Sequence, residues 1–394
     1  MLVTTQHHRG VPNPSPASGT DLVRIGIIGP GWWTDTMYVP ALAEVDGAEL
    51  RAICGRDLER TTAFADAHGI PLVFTDPAEL FASGEIDAVI ISTINRTHHA
   101  LTLAALDTGL HVLCEKPLAM TAAEADDMAD AARRAGRCCL VPFTYRFMPT
   151  SRFVKRLVDD DFLGTPYLIN LRYYANYGRD GAYAWRFDLD DAGAGVLGDL
   201  GSHWVDMARW LFGEIEAVTC VLTHLVERGP RPDGGAYPLG DDGATIVTEF
   251  ENGAHGTLTV SSVCHEDSPF GQRHEFDLFG RDGTIHMVND WDTVQEVRAG
   301  RSGEPIVVRS IPDDVWGDVR RTPVGATYRD VFRTTDALTR GWVGAIRSGQ
   351  PIEPDFDTGA AVQRVIEACL ISARQGRRVR LDELDHLAVT GAAP

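Results

Sequence analysis

Between residues 23 and 56 the chain leaves few folds open. Val23-Arg24-Ile25-Gly26-Ile27-Ile28 is a short run rich in β-branched residues, followed at once by Gly29-Pro30-Gly31 and by a helix-forming stretch through Leu42. A second apolar run over 49–54 ends in Gly55-Arg56-Asp57. Strand, tight glycine turn, helix and strand in this order make the first β-α-β of a dinucleotide-binding sheet. Without a Cβ at Gly29 and Gly31 the backbone can touch a pyrophosphate, whose charge faces the N-terminus of the following helix. The third glycine of the fingerprint, which lets helix and strand pack closely, is Thr34 here, and Trp32 and Trp33 add bulk beside the pyrophosphate position.

The alternation continues. Helical stretches at 59–68, 100–108 and 122–135 are stopped by Gly69, Gly109 and Gly136, and short strands are expected at 72–74, 88–93, 111–114 and 138–141. Asp76-Pro77 reads as the cap and first turn of a further helix. Unbroken apolar runs such as Ala88-Val89-Ile90-Ile91 suit a parallel sheet covered on both faces. Ligands of such sheets bind beyond the carboxyl ends of the strands, which puts Thr93, Asn95 and His98 near a cofactor. His98 reads equally as a helix N-terminal residue without chemistry. The strand at 111–114 delivers Glu115-Lys116-Pro117, placing Lys116 where a nicotinamide and its substrate would meet; the plain alternative is a surface lysine in a loop.

After Ser151 the texture changes. A long strand is expected at 166–174, and the later strand-like runs at 217–225, 244–250, 254–262, 274–279 and 284–288 follow one another with turns but no intervening helices, which implies an antiparallel sheet. A C-terminal helix is expected over 357–374, and the Gly-, Pro- and Asp-rich segment 229–242 is the candidate mobile loop. Gly193-Ala194-Gly195 leads into a helix over 196–212. Leu200, Trp204, Met207, Ala208 and Leu211 form its apolar stripe, and Asp199, His203 and Asp206 share another face. A carboxylate one turn from an imidazole favours the protonated ring and can orient it. The same spacing also describes an ordinary surface pair.

At 394 residues two domains are expected, 21–145 and 146–394, behind a disordered arm at 1–20 whose His7-His8 are incidental. A net charge of −20 repels phosphate backbones, which argues against nucleic acid as partner, and no run is long and apolar enough for a membrane span. Seven cysteines without zinc-ligand spacing point to a reducing cytoplasm and to no bound metal.

The ordered set Gly29-Pro30-Gly31, Glu115-Lys116-Pro117, Tyr145-Arg146-Phe147 and the run from Gly193 through Asp199 to His203 resembles the Gfo/Idh/MocA oxidoreductases over residues 21 to 382. The resemblance implies a Rossmann domain followed by an α/β domain with a large open, mainly antiparallel sheet, often used for homodimer or homotetramer contacts. It also implies that Lys116 and His203 handle a proton, that Asp199 orients, and that substrates are sugars, inositols or related polyols. Tyr38 stands where the family commonly has a histidine, and Ile94 where it often has proline. The cofactor residues expected are Gly29, Gly31, Trp32, Trp33, Arg56, Thr93, Asn95, His98, Glu115 and Lys116. Gly55-Arg56 in place of an acidic residue leaves room and charge for a 2′-phosphate and points to NADP over NAD. Around the expected cleft, Tyr145, Arg146, Trp185, Arg186 and His203 are the substrate candidates, with Asn176, Tyr177, Tyr183 and His265 nearby. Two other functions fit the fold: a catalytically silent dinucleotide-binding sensor, and a glycosidase or lyase that recycles its cofactor.

Overall fold

The computed structural model describes residues 22–264 and 271–384, so the expected arm at 1–20 and His265 lie outside the described residues. Six parallel strands form the first sheet in the order β3-β2-β1-β4-β5-β6: β1 Val23–Ile28, β2 Ala48–Cys54, β3 Leu72–Phe74, β4 Ala88–Ile91, β5 His111–Cys114 and β6 Cys139–Leu140. The order reverses direction between β1 and β4, and the crevice at that switch point is where such a sheet receives its ligand. Helix boundaries follow local chemistry. Asp57 accepts from Arg60 N to cap the helix Leu58–His68, Asp76 caps Pro77–Ala82, and Gly69 and Gly136 end their helices in the left-handed conformation.

The second sheet has nine strands in the order β14-β13-β12-β11-β7-β10-β9-β8-β15. They are β7 Pro166–Ala175, β8 Ile215–Thr223, β9 Gly243–Phe250, β10 His255–Ser261, β11 Gln272–Gly280, β12 Gly283–Asp290, β13 Val294–Arg301, β14 Val307–Val308 and β15 Val379–Arg380. All neighbours are antiparallel except β7 and β10, which pair in parallel at the centre. Burial alternates along β7 and β12, so one face is core and the other is open. The helix Ser202–Phe212 lies on the inner face. The helix Phe356–Gln375 packs on β8 and also on Ala122–Ala135, joining the two halves.

Among the elements that escaped the sequence reading are β13 to β15 and the helices Val324–Thr334 and Leu338–Ser348. These two helices pack back against the first sheet's opening helix. Arg333, Arg340 and Arg347, seven residues apart, donate to the backbone carbonyls of Thr36, Glu44 and Asp46. The chain therefore returns to its first half.

Burial holds several imidazoles neutral: His98 and His111, the latter despite Asp87, are pushed down to about 4 and His274 to about 3. A folded-state value below the unfolded one means that the unfolded chain binds more protons between the two, so stability rises with pH there. Three carboxyls that burial shifts upward, Glu115, Asp206 and Asp241, act in the opposite sense. The histidines outnumber them once His203 is included. Between pH 7 and 5 the stability measured by urea unfolding should therefore fall. An unchanged or rising midpoint would show that these rings are protonated in the fold.

Candidate active site

The glycine turn is closed locally. Gly29 has a φ of 104°, and a Cβ on it would sit 2.3 Å from Ser92 O, whereas nothing lies within 4 Å of a Cβ on Gly31. Thr34, in the third glycine's place, donates its hydroxyl to Gly29 O at 2.6 Å. The helix that follows begins as a π-turn over Thr34–Tyr38. At the end of β2, Gly55 is required because a Cβ would meet Thr61 Oγ1 at 2.4 Å and Pro30 Cγ at 2.7 Å. Arg56 beside it is exposed, and Asp57 is engaged as a helix cap.

Lys116 from the end of β5 reaches across to the second half. Its Nζ donates to Asp199 Oδ1 at 2.7 Å and to Asp199 O at 3.0 Å. Tyr177 donates its hydroxyl to Asp199 Oδ2 at 2.8 Å, and Arg186 Nε lies 3.3 Å from the same oxygen while its guanidinium stacks 4.7 Å over Trp185. Burial opposes the ionised form of Asp199. Lys116 and Arg186, with the bonds from Lys116 and Tyr177, outweigh it and hold this carboxyl well below the usual carboxylate range.

The expected Asp199–His203 pair does not form. Residues Leu197–Gly201 are a π-helix, not the α-helix assumed from the spacing, and the Asp199 carboxylate is taken up by Lys116, Tyr177 and Arg186. His203 instead packs edge-on against Phe143 and Tyr145, and its Nδ1 is buried without a hydrogen-bond partner. Burial first and Lys116 second push its pKa well below the ordinary value, Asp199 opposing only in part. The imidazole is neutral, which corrects the expectation of a protonated ring.

Other candidates are placed differently from expectation. Arg146 is buried in a two-pronged ion pair, with Nε donating to Asp206 Oδ2 at 2.8 Å and Nη2 to Oδ1 at 2.5 Å. This occupies the guanidinium and turns Asp206 away from Asp199 and His203, so Arg146 is structural here. Tyr145 is likewise buried, its hydroxyl bonded to that of Tyr173 at 2.7 Å. His98 is fully buried, with Nδ1 3.0 Å from Pro117 O and Nε2 3.3 Å from Thr93 O; it braces the strand ends and cannot reach a ligand. Thr93 shares a hydrogen bond with Thr97. Asn95 donates to Ala192 O at 2.9 Å, tying the end of β4 to the second half, and leaves its Oδ1 buried and unpaired. Trp33 donates to Glu115 Oε1 at 2.7 Å, whereas Trp32 is 69% exposed.

Tyr38, noted in the sequence only as a departure, also donates to Glu115 Oε1 at 2.6 Å. Burial raises the Glu115 carboxyl despite Lys116 and these bonds. The segment 229–242, expected to be mobile, is pinned. Arg231 bridges Asp188 and Asp190, and Arg228 pairs with Asp242.

Lys116, Tyr177 and Arg186, the last stacked on Trp185, thus gather around the Asp199 carboxylate, with His203 within electrostatic reach of Lys116 and Asp199. Similarity searches agree with this architecture. Residues 23–143 match the oxidoreductase family with an NAD-binding Rossmann fold, and residues 151–286 match the GFO/IDH/MocA C-terminal domain. A D-apiose dehydrogenase of Paraburkholderia graminis is 26% identical, covering 91% of this chain and 90% of its own length. A D-xylose 1-dehydrogenase (NADP(+)) of Haloferax volcanii is 29% identical, covering 91% and 99%. Among solved structures, a levoglucosan dehydrogenase in complex with NADH superposes with a TM-score of 0.81 at 24% identity, over 91% of this chain and 99% of that one.

Proposed function

We propose that this chain, which belongs to the Gfo/Idh/MocA oxidoreductase family, is a nicotinamide-dependent dehydrogenase or reductase of a carbohydrate-like secondary alcohol or its ketone. The observation that carries the reading is the Lys116–Asp199 pair at the end of β5, with the neutral His203 within electrostatic reach of both. The open space at Gly31 and the unpaired Oδ1 of Asn95 suit a dinucleotide that ends in a carboxamide donor. When bound, the nicotinamide supplies the hydride acceptor or donor.

The protein's own groups account for the rest. Asp199 holds Lys116 Nζ from one side, leaving it as the donor that polarises the substrate oxygen. The neutral His203 takes the hydroxyl proton in oxidation and returns it in reduction, in a site where Phe143 and Tyr145 exclude water. Trp185 and Arg186 offer a flat face and hydrogen-bond donors for a polyol. Following nicotinamide absorbance while sugars, inositols and small ketones are added tests the reading. Substrate-dependent change is expected; tight dinucleotide binding with no change across the panel would favour the sensor.

For the cofactor, we infer a preference for NADP from the exposed Arg56 beside Gly55, with Arg60, whose Nη2 donates to Pro30 O at 3.2 Å, close to the same turn. Arg56→Ala should weaken NADPH binding by about 1–3 kcal/mol more than NADH binding. Equal losses for the two in fluorescence titrations would remove the 2′-phosphate argument. The open face of the second sheet, where Tyr167, Val221 and Val247 are exposed, supports association into a homodimer or homotetramer. Seven unpaired cysteines suit the cytoplasm.

A further inference from the structure

Two consecutive aspartates end the pinned segment, and they face opposite ways. Asp242 accepts from Leu225 N at 2.6 Å and Val226 N at 2.9 Å and pairs with Arg228, which folds the strap 224–242 onto the end of β8. Asp241 turns inward and is 2% exposed. Its Oδ1 accepts from Gly195 N at 3.0 Å and its Oδ2 from Leu197 N at 2.8 Å, while its backbone carbonyl accepts from Val196 N at 3.1 Å. One residue thus takes three successive amides at the start of the π-helix that carries Asp199. The fit is close, since a Cβ on Gly195 would lie 2.3 Å from Asp241 O and 2.5 Å from Asp241 N. The strap is anchored independently of this contact by Arg231 on Asp188 and Asp190, by Gly240 N donating to Phe187 O, and by Tyr237 packed edge-on against Tyr183.

We propose that Asp241 is a positioning residue for the reaction: its carboxylate fixes the entry to the Leu197–Gly201 π-helix and thereby sets the Asp199 carboxylate against Lys116. A π-turn is held less well by its own hydrogen bonds than an α-turn and depends on an external clamp. Two amides that bond to two different carboxylate oxygens need both oxygens. An amide side chain in this place has one acceptor and presents an NH₂ group to the other N–H, so Asp241→Asn releases one of the pair.

The fold tolerates that change. Burial pushes the Asp241 carboxyl up to about 6 despite its bonds from Leu197 and Gly195. A folded value above the unfolded one means that its charge lowers stability at pH 7. Removing the charge therefore offsets the lost bond, and the unfolding midpoint of Asp241→Asn stays near that of the wild type. The titratable groups in reach are His224 from beyond β8, Tyr177 from beyond β7 and the adjacent Asp242.

The proposal rests on the oxidoreductase reading only for its kinetic arm. In the full chain, Asp241→Asn should lower kcat by about 10²-fold, the scale of a small misplacement of reacting groups. The Kd for NADPH or NADH should stay within about twofold, because the glycine turn lies in the other sheet. Amide exchange over 195–203 should quicken by about tenfold or more with the rest of the chain unchanged. Wild-type kcat should fall below pH 6 as the carboxyl takes its proton, and this acid limb should be missing from the variant. Gly195→Ala, which displaces the strap but keeps the carboxylate, should reproduce the kcat loss. Unchanged kcat with a protected 195–203 segment would overturn the proposal, as would a loss that tracks a fall in the unfolding midpoint. Should the wild type turn over no polyol, the exchange measurement alone still decides whether Asp241 clamps this turn.

Discussion

Lys116→Ala is expected to lower kcat by about 10²–10⁴-fold while changing dinucleotide affinity little. The lysine reaches from the end of β5 to Asp199 in the other half, and its bonds go to Asp199 Oδ1 and O and not to the glycine turn. Its removal deprives the substrate oxygen of its donor. It also leaves the Asp199 carboxylate facing only Tyr177 and Arg186. Stopped-flow turnover and a fluorescence titration with NADPH separate the two effects. A loss confined to binding would move Lys116 into the cofactor site and out of the proton chemistry. His203→Ala should behave similarly in rate.

Arg146→Ala is expected to cost about 3–5 kcal/mol of stability, because it leaves the Asp206 carboxylate buried without its partner. The fall should appear in the denaturant midpoint, and the KM of whatever fraction remains folded should be close to that of the wild type. A raised KM with an unchanged midpoint would return Arg146 to the substrate site, where its position in Tyr145-Arg146-Phe147 had placed it.

The first sheet was legible because buried parallel strands read as unbroken apolar runs and because Gly69, Asp76 and Gly136 mark helix ends chemically. The glycine turn, Lys116, Asp199 and His203 could be singled out as candidates because motif and order suffice to nominate them. What the residues do to one another was less accessible. Spacing puts Asp199 and His203 on one face, but it does not register that Lys116, Tyr177 and Arg186, distant in the chain, engage the carboxylate. The Arg146–Asp206 pair spans sixty residues of sequence, and only the packing of helix Ser202–Phe212 brings it together.

The helix Val324–Thr334 does carry an apolar stripe, Val324, Tyr328, Val331 and Phe332 at helical spacing, and the sequence reading passed over it. Asp241 carried a faint signal as an acidic pair closing a glycine-rich loop just ahead of a strand. Composition made that segment look loose. Arg231, Asp188 and Asp190, more than forty residues apart in the chain, make it rigid.

Net hydride transfer between a carbinol carbon and a nicotinamide that leaves the site changed is what separates a dehydrogenase from a cofactor-recycling enzyme. Its most direct test is oxidation of a polyol substrate deuterated at the reacting carbon, with mass analysis of the dinucleotide released. One deuterium is expected on the reduced nicotinamide for each ketone formed. Substrate consumed with no net reduced dinucleotide and no label in it would contradict the account and leave the cofactor-recycling reaction in its place.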